Sequence, residues 1–74
     1  MNITLRQLEY VVTIDQEGQF SLAAKRLNVA QPSLSAQVAH LENFFGGKFF
    51  IRGRKGVTIT PLGRDVIRRA RRIL

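Results

Sequence analysis

Residues 21–38 read SLAAKRLNVAQPSLSAQV and predict two short helices joined by a very tight turn. Ser21 is placed to cap the first helix, and Asn28 can adopt the left-handed conformation that ends a helix. Only two residues then precede the next helix. Pro32 fits near the start of that helix, because a backbone N–H there would have no partner within the helix. Two short helices connected in this way form a helix-turn-helix unit.

The second helix of this unit, residues 31–45, is called the recognition helix below. Its apolar stripe consists of Leu34, Val38, Leu41 and Phe45, at helical spacing. The second helix of a helix-turn-helix presents its outer face to the DNA major groove, where short polar side chains bond base edges. On that outer face and its flanks lie Gln31, Pro32, Ser33, Ser35, Ala36, Gln37, Ala39, His40 and Asn43.

The neighbouring segments predict a helix before this unit and a β-hairpin after it. Thr4 and Gln7 fit a capping box at the start of the preceding helix, and Gly18 ends that helix. FFIR (residues 49–52) and VTIT (57–60) are rich in aromatic and β-branched residues, which favours two strands. The turn between them exposes two basic side chains.

The last predicted helix begins at Thr60, an N-cap that proline follows. Its apolar stripe is too long for three small helices to cover, so we expect a second copy of the chain to bury it. The alternative is that the stripe packs only on its own domain. The sequence ends in RARRIL without a capping residue, so we expect a longer protein. The expected dimer interface is Leu62, Val66, Ala70, Ile73 and Leu74.

Basic residues are concentrated near the C-terminus, within a formal net charge of +7. Residues 1–47 carry three Lys/Arg and four acids, whereas residues 48–74 carry nine Lys/Arg and one acid. Such a segment attracts nucleic acid or an anionic membrane surface, although it is also compatible with a solvated helix face. The uncharged recognition helix would then read bases, while its basic neighbours attract phosphate.

Several function classes are not expected. The chain has no cysteine, and no run of 18 apolar residues that would span a membrane. His40 lacks a Cys or carboxylate cluster at a metal-ligand spacing, and we interpret Asp15, Glu17 and Glu42 as scattered surface acids. We therefore expect no enzyme, and no metal or cofactor bound by this segment.

Five stretches carry a resemblance to a known family: FSLAAKRLNVAQPSLS (20–35), VAHLE (38–42), Gly46, FFIR (49–52) and ITPLG (59–63). In order and spacing they resemble the N-terminal domain of LysR-type bacterial transcriptional regulators. The resemblance implies a mainly α, winged helix-turn-helix over residues 1–60, with three helices and the hairpin as a two-stranded wing. Residues 61–74 would begin a linker helix for dimerisation.

The resemblance also implies a function. It implies a cytoplasmic bacterial regulator that binds double-stranded DNA sequence-specifically, as a homodimer on dyad-symmetric sites. Higher oligomers are compatible with a full-length chain, whose larger C-terminal domain would bind a small-molecule inducer. No membrane partner is implied.

Individual roles follow from the resemblance. Gln31, Pro32, Ser33 and Ser35 match the start of the family's recognition helix, and Arg52 matches a wing arginine that contacts the DNA backbone. Ala30 stands where the family usually has a Ser or Thr cap, and Phe45 replaces the usual leucine. Basic residues are frequent in the family at the positions of Ala36, Ala39 and His40. With residues 52–56 at the wing tip placed on the backbone or minor groove, the expected DNA-binding residues are Ser21, Gln31, Pro32, Ser33, Ser35, Ala36, Gln37, His40, Arg52, Arg54 and Lys55.

Two other interpretations stay open. A membrane-surface peptide built on the arginine-rich residues 60–74 would not need the caps and apolar stripes upstream. A winged-helix module that binds another protein would lack the steep salt dependence of phosphate binding.

Overall fold

The computed structural model describes residues 3–74, which form four helices and one two-stranded sheet. The elements are α1 (Leu5–Glu17), α2 (Phe20–Leu27), α3 (Gln31–Phe45), β1 (Phe50–Gly53), β2 (Gly56–Ile59) and α4 (Pro61–Ile73). This is the predicted winged helix-turn-helix with a following helix. The recognition helix is α3, and the wing is β1, β2 and the turn between them.

The predicted helix ends at Thr4, Gly18 and Asn28 are confirmed. Thr4 Oγ1 accepts a hydrogen bond from Gln7 N at 3.1 Å, and Gln7 Oε1 accepts one from Thr4 N at 3.0 Å. Gly18 ends α1 in the left-handed conformation, with a φ of 78°. Asn28 ends α2 in the same conformation, with a φ of 58°. These local bonds satisfy backbone groups at the helix ends, so the caps determine where α1 and α2 stop.

The expected cap of α2 is wrong. The helix begins at Phe20, so Ser21 lies inside its first turn and Gln19 occupies the N-cap position. Ser21 Oγ instead donates to Gln19 Oε1 at 3.4 Å. The buried ring of Phe20 packs edge-on against Phe50, with ring centroids 5.8 Å apart. Packing of an aromatic residue against the wing, rather than a hydroxyl cap, therefore accompanies the start of this helix.

The core is built around α1, against which α2, α3 and α4 all pack. Leu34, Val38 and Leu41 bury the predicted face of α3, but Phe45 is 39% exposed. Phe45 lies in the last turn of α3, where its ring contacts Phe44 and Phe49 at the edge of the core. The predicted apolar stripe therefore ends one turn early.

Glu42 is buried, at 7% exposure, and is not the surface acid that the sequence suggested. Its Oε2 accepts a hydrogen bond from Phe49 N at 2.7 Å, and its Oε1 lies 3.8 Å from Lys48 Nζ. A buried carboxylate is tolerated when hydrogen bonds satisfy it. Glu42 thus fixes the chain that runs from α3 into the wing.

The wing is an antiparallel hairpin with a two-residue turn at Arg54–Lys55. Strand β2 is also anchored to the helices, because Val57 N donates to Gly18 O at 2.8 Å. This close approach requires glycine at position 56, where φ is +124° and a Cβ would lie 2.5 Å from Gly18 O. The wing therefore has a fixed position beside the α1–α2 turn.

Helix α4 is capped by Thr60, whose hydroxyl accepts a hydrogen bond from Gly63 N at 2.9 Å. The expectation that its apolar stripe lacks cover is wrong for Val66 and Ala70, which are buried in the core of the same chain. Ile73 and Leu74 are exposed, and Leu62 is partly buried. The division between residues 1–60 and 61–74 stays a prediction.

Across residues 3–74, no helix is both long and apolar enough to cross a membrane.

Candidate nucleic-acid interface

The outer face of α3 is open to solvent. All the residues predicted there are exposed except Ser35, which is half-buried. Before Glu42, α3 contains no Lys, Arg, Asp or Glu. Ala30 at its N-cap has no side-chain oxygen, so the first turn begins without a side-chain cap. Backbone N–H groups in the first turn of a helix are well suited to meet an anion such as phosphate.

Gln37 is exposed but is connected to α1. Gln7 Nε2 donates a hydrogen bond to Gln37 Oε1 at 3.0 Å, and Gln7 is itself buried. Because the carbonyl oxygen of Gln37 is engaged, its amide N–H groups are the donors left for a ligand. Nothing in the local sequence pattern indicated this contact, since the two glutamines are 30 residues apart.

Arg52 is bonded to α3 rather than free on the wing. Its Nη2 donates to Ser35 Oγ at 2.7 Å, and its guanidinium carbon lies 3.7 Å from the centroid of the Phe20 ring. A cation over an aromatic face is attracted by the electrons of the ring. One arginine therefore joins α2, α3 and β1.

Four predicted site residues line one depression of about 210 Å³ between the helices and the wing. Ser21 comes from α2, Gln31 from α3, and Arg52 and Arg54 from the wing. His40 lies nine residues after Gln31, about 13 Å further along α3. The structure thus brings the start of the recognition helix and the wing together, and leaves His40 at a distance.

The wing lies beside α3 and carries basic side chains that are not paired with an acid in the described residues. Within residues 3–74, Arg52, Arg54 and Lys55 form no ion pair with a carboxylate. On α4, by contrast, Arg68 and Arg69 share Asp65, and Arg71 pairs with Asp15 at 3.0 Å. The basic C-terminal third predicted from sequence is therefore partly neutralised along α4 and not on the wing.

In the part of the chain that the structure describes, no three His, Cys, Asp or Glu side chains are grouped to hold a metal ion. His40, the single histidine of the chain, is exposed on α3.

Comparisons with known proteins agree with this geometry. Residues 5–64 match the model of the family described as bacterial regulatory helix-turn-helix protein, lysR family. The chain is 45% identical over all 74 residues to the small neutral protease regulatory protein of Streptomyces coelicolor, of which it covers 23%. It is 44% identical over 71 residues to the HTH-type transcriptional regulator EstR of Acinetobacter baylyi, covering 96% of this chain and 24% of EstR.

A similar solved structure is the crystal structure of the CbnR DBD–DNA complex. It superimposes with a TM-score of 0.90 and 35% sequence identity, over 96% of this chain and 82% of that one. The chain spans about a quarter of the length of the two curated relatives above.

Proposed function

Because the chain belongs to the lysR family of bacterial regulatory helix-turn-helix proteins, we propose that it binds double-stranded DNA sequence-specifically to regulate transcription. Helix α3 enters the major groove, and the wing tip at residues 52–56 lies on the backbone or in the minor groove. The observation that carries this proposal is that Gln31, at the start of the uncharged, exposed face of α3, lines one depression together with Arg52 and Arg54, two wing cations without a carboxylate partner within residues 3–74. This arrangement separates base reading from phosphate attraction.

Base reading is assigned to the start of α3. Gln31 and Ser33 are exposed in its first turn and offer short donors and acceptors to base edges, and Pro32 and Ala36 can contact a thymine methyl. Gln37 adds N–H donors on the flank. His40, further along the helix, contacts a phosphate or water.

Phosphate binding is assigned to the wing and to the neighbouring start of α2. Arg52 and Arg54 line the same depression as Ser21, so one sugar-phosphate strand passing there meets all three side chains. Lys55 contacts a phosphate from the turn at the tip of the wing. None of these contacts depends on base sequence, so they set affinity and its dependence on salt.

A homodimer on a dyad-symmetric site is the second part of the proposal. An apolar groove of about 590 Å³ runs between the start of α1 and α4, with Val66 and Ala70 among its lining residues. Leu5 and Ile73 beside it are each 61% exposed, and Phe45 and Leu62 also line it. A second copy would cover this surface and the exposed Leu74, because a large apolar surface is disfavoured in water.

The remaining assignments concern the whole protein. A regulator of bacterial genes acts in the cytoplasm, and the part of the relatives beyond this segment is where we place binding of a small-molecule effector.

Selection from a randomised DNA pool tests the function. We expect the chain to retain duplexes with an interrupted, dyad-symmetric consensus, and their affinity to fall steeply between about 50 and 200 mM salt. Absence of any consensus, or binding to anionic vesicles in place of duplex DNA, would contradict the proposal.

A further inference from the structure

Arg52 in the DNA-free chain is bonded to the recognition helix, and we propose that it is a positioning residue that sets base discrimination through Ser35. This inference rests on the proposed DNA-binding function. It goes beyond that function because Arg52 would otherwise supply only sequence-independent attraction to phosphate.

Two contacts fix the guanidinium. Its central carbon lies 3.7 Å from the centroid of the Phe20 ring, and one of its N–H groups donates to Ser35 Oγ at 2.7 Å. Phe20 is buried and packs edge-on against Phe50, so the surface under the guanidinium is rigid. The other N–H groups of this exposed side chain remain available to a phosphate.

The bond also sets the direction of the Ser35 hydroxyl. Because Ser35 Oγ accepts from Arg52, its own O–H must point away from the guanidinium. Among residues 3–74, Arg52 is the hydrogen-bond partner recorded for this hydroxyl. Ser35 lies half-buried on the flank of α3, and the inference assigns this O–H as a donor to a base beside the helix.

Arg52 further fixes the wing relative to α3. Strand β2 is held by its backbone, because Val57 N bonds Gly18 O at 2.8 Å. Strand β1 pairs with β2 at Arg52 and Val57, and the Arg52 side chain connects this strand to α3. Loss of the side-chain contact leaves β1 anchored at its start, where Phe50 packs on Phe20 and Phe49 N donates to Glu42, so we expect the outer part of the wing to change its angle to α3.

Lysine is the informative replacement at this position. It keeps the positive charge, but it lacks the planar fork that stacks on a ring while donating sideways. A residue that only attracts phosphate would tolerate Arg52→Lys, whereas a positioning residue would not. Arg68 is an exposed arginine of α4 that pairs with Asp65 and lies outside the proposed interface, so Arg68→Lys is the matched control.

The experiment compares two duplexes of equal length and composition, one with the selected consensus and one scrambled. For Arg52→Lys we expect the salt slope to stay unchanged and the ratio of specific to nonspecific affinity to fall about tenfold. Arg68→Lys should change neither quantity. Ser35→Ala should lower the ratio as Arg52→Lys does, Ser35→Thr should retain it, and the double variant Arg52→Lys/Ser35→Ala should lose no more than either single one.

If the wild type distinguishes the two duplexes and Arg52→Lys distinguishes them equally well, the positioning role is overturned and the proposed function stays intact. Losses that multiply in the double variant would also overturn it, since they indicate independent contacts. A wild-type chain that does not distinguish the two duplexes contradicts both proposals. If Arg52→Lys fails to fold by circular dichroism, the Ser35 variants decide: an unchanged ratio in Ser35→Ala overturns the inference, and a loss that Ser35→Thr restores supports it.

Discussion

Gln7 Nε2 donates a hydrogen bond to Gln37 Oε1 across 3.0 Å and so connects the first turn of α1 to the middle of the recognition helix. The same side chain closes the capping box with Thr4. One buried glutamine therefore both caps a helix and holds the side chain of Gln37 on the flank of α3. A side chain at the candidate interface is thus held by a residue outside that interface.

Replacing Gln7 with Ala should lower the free energy of unfolding by about 1–2 kcal/mol, because it removes a cap bond and the link to Gln37. Urea unfolding followed by circular dichroism measures this change. Gln16→Ala, on the exposed side of α1, is the control and should have an effect below about 0.5 kcal/mol. Equal effects of the two substitutions would show that the Gln7 contacts contribute nothing.

Gln31→Ala and Ser33→Ala should each weaken binding to the selected consensus by about 1–3 kcal/mol, because each removes a polar group at the start of α3. Binding to a scrambled duplex should change little. Fluorescence anisotropy with both duplexes measures the difference. If both variants stay folded and bind the consensus as tightly as the wild type, α3 does not read bases through these residues.

Arg54→Ala should reduce the slope of log K against log salt by about one unit, because an unneutralised cation is lost from the wing. Arg68→Ala is the matched control, since Arg68 is paired with Asp65 on α4. A titration of binding between about 50 and 200 mM salt measures both slopes. The same slope change in the two variants would mean that charge position does not matter.

Gly56→Ala should destabilise the chain by more than about 2 kcal/mol, because φ is +124° there and the added Cβ would meet Gly18 O at 2.5 Å. Gly53→Ala, at the other end of the turn, places its Cβ 3.5 Å from Gly56 O and should have an effect below about 1 kcal/mol. Thermal and urea unfolding of both variants measure the difference. A Gly56→Ala chain as stable as the wild type would refute the close approach of wing and α1–α2 turn.

Ile73→Glu should give folded monomers, because Ile73 is 61% exposed beside the apolar groove and a charge there opposes a second copy. Val66→Glu is a poorer test, since Val66 is 6% exposed and a glutamate there would place a charge in the core. Sedimentation of the wild type and Ile73→Glu measures the assembly. Leu22→Glu, an exposed apolar residue on α2, is the control, and dimers that persist in Ile73→Glu would exclude this surface.

The start of α1, the end of α2 and the start of α4 were determined by the sequence itself, because each depends on residues a few positions apart. The capping box at Thr4, the left-handed Asn28 and the Thr60–Pro61 start all satisfy their own backbone groups. The exposed face of α3 followed equally from helical periodicity. The order of elements, and with it the winged helix-turn-helix, could therefore be predicted.

Tertiary structure alone decided which side chains meet. Arg52 joins Ser35 across 17 residues, Gln7 joins Gln37 across 30, and Glu42 is buried because Phe49 N reaches it after the chain turns into the wing. The periodicity of apolar residues predicts which face of a helix is apolar, but the partner of a polar group depends on how separate elements are packed. For that reason the sequence indicated the candidate interface, and only the packed fold decided how Arg52 and Gln37 are held there.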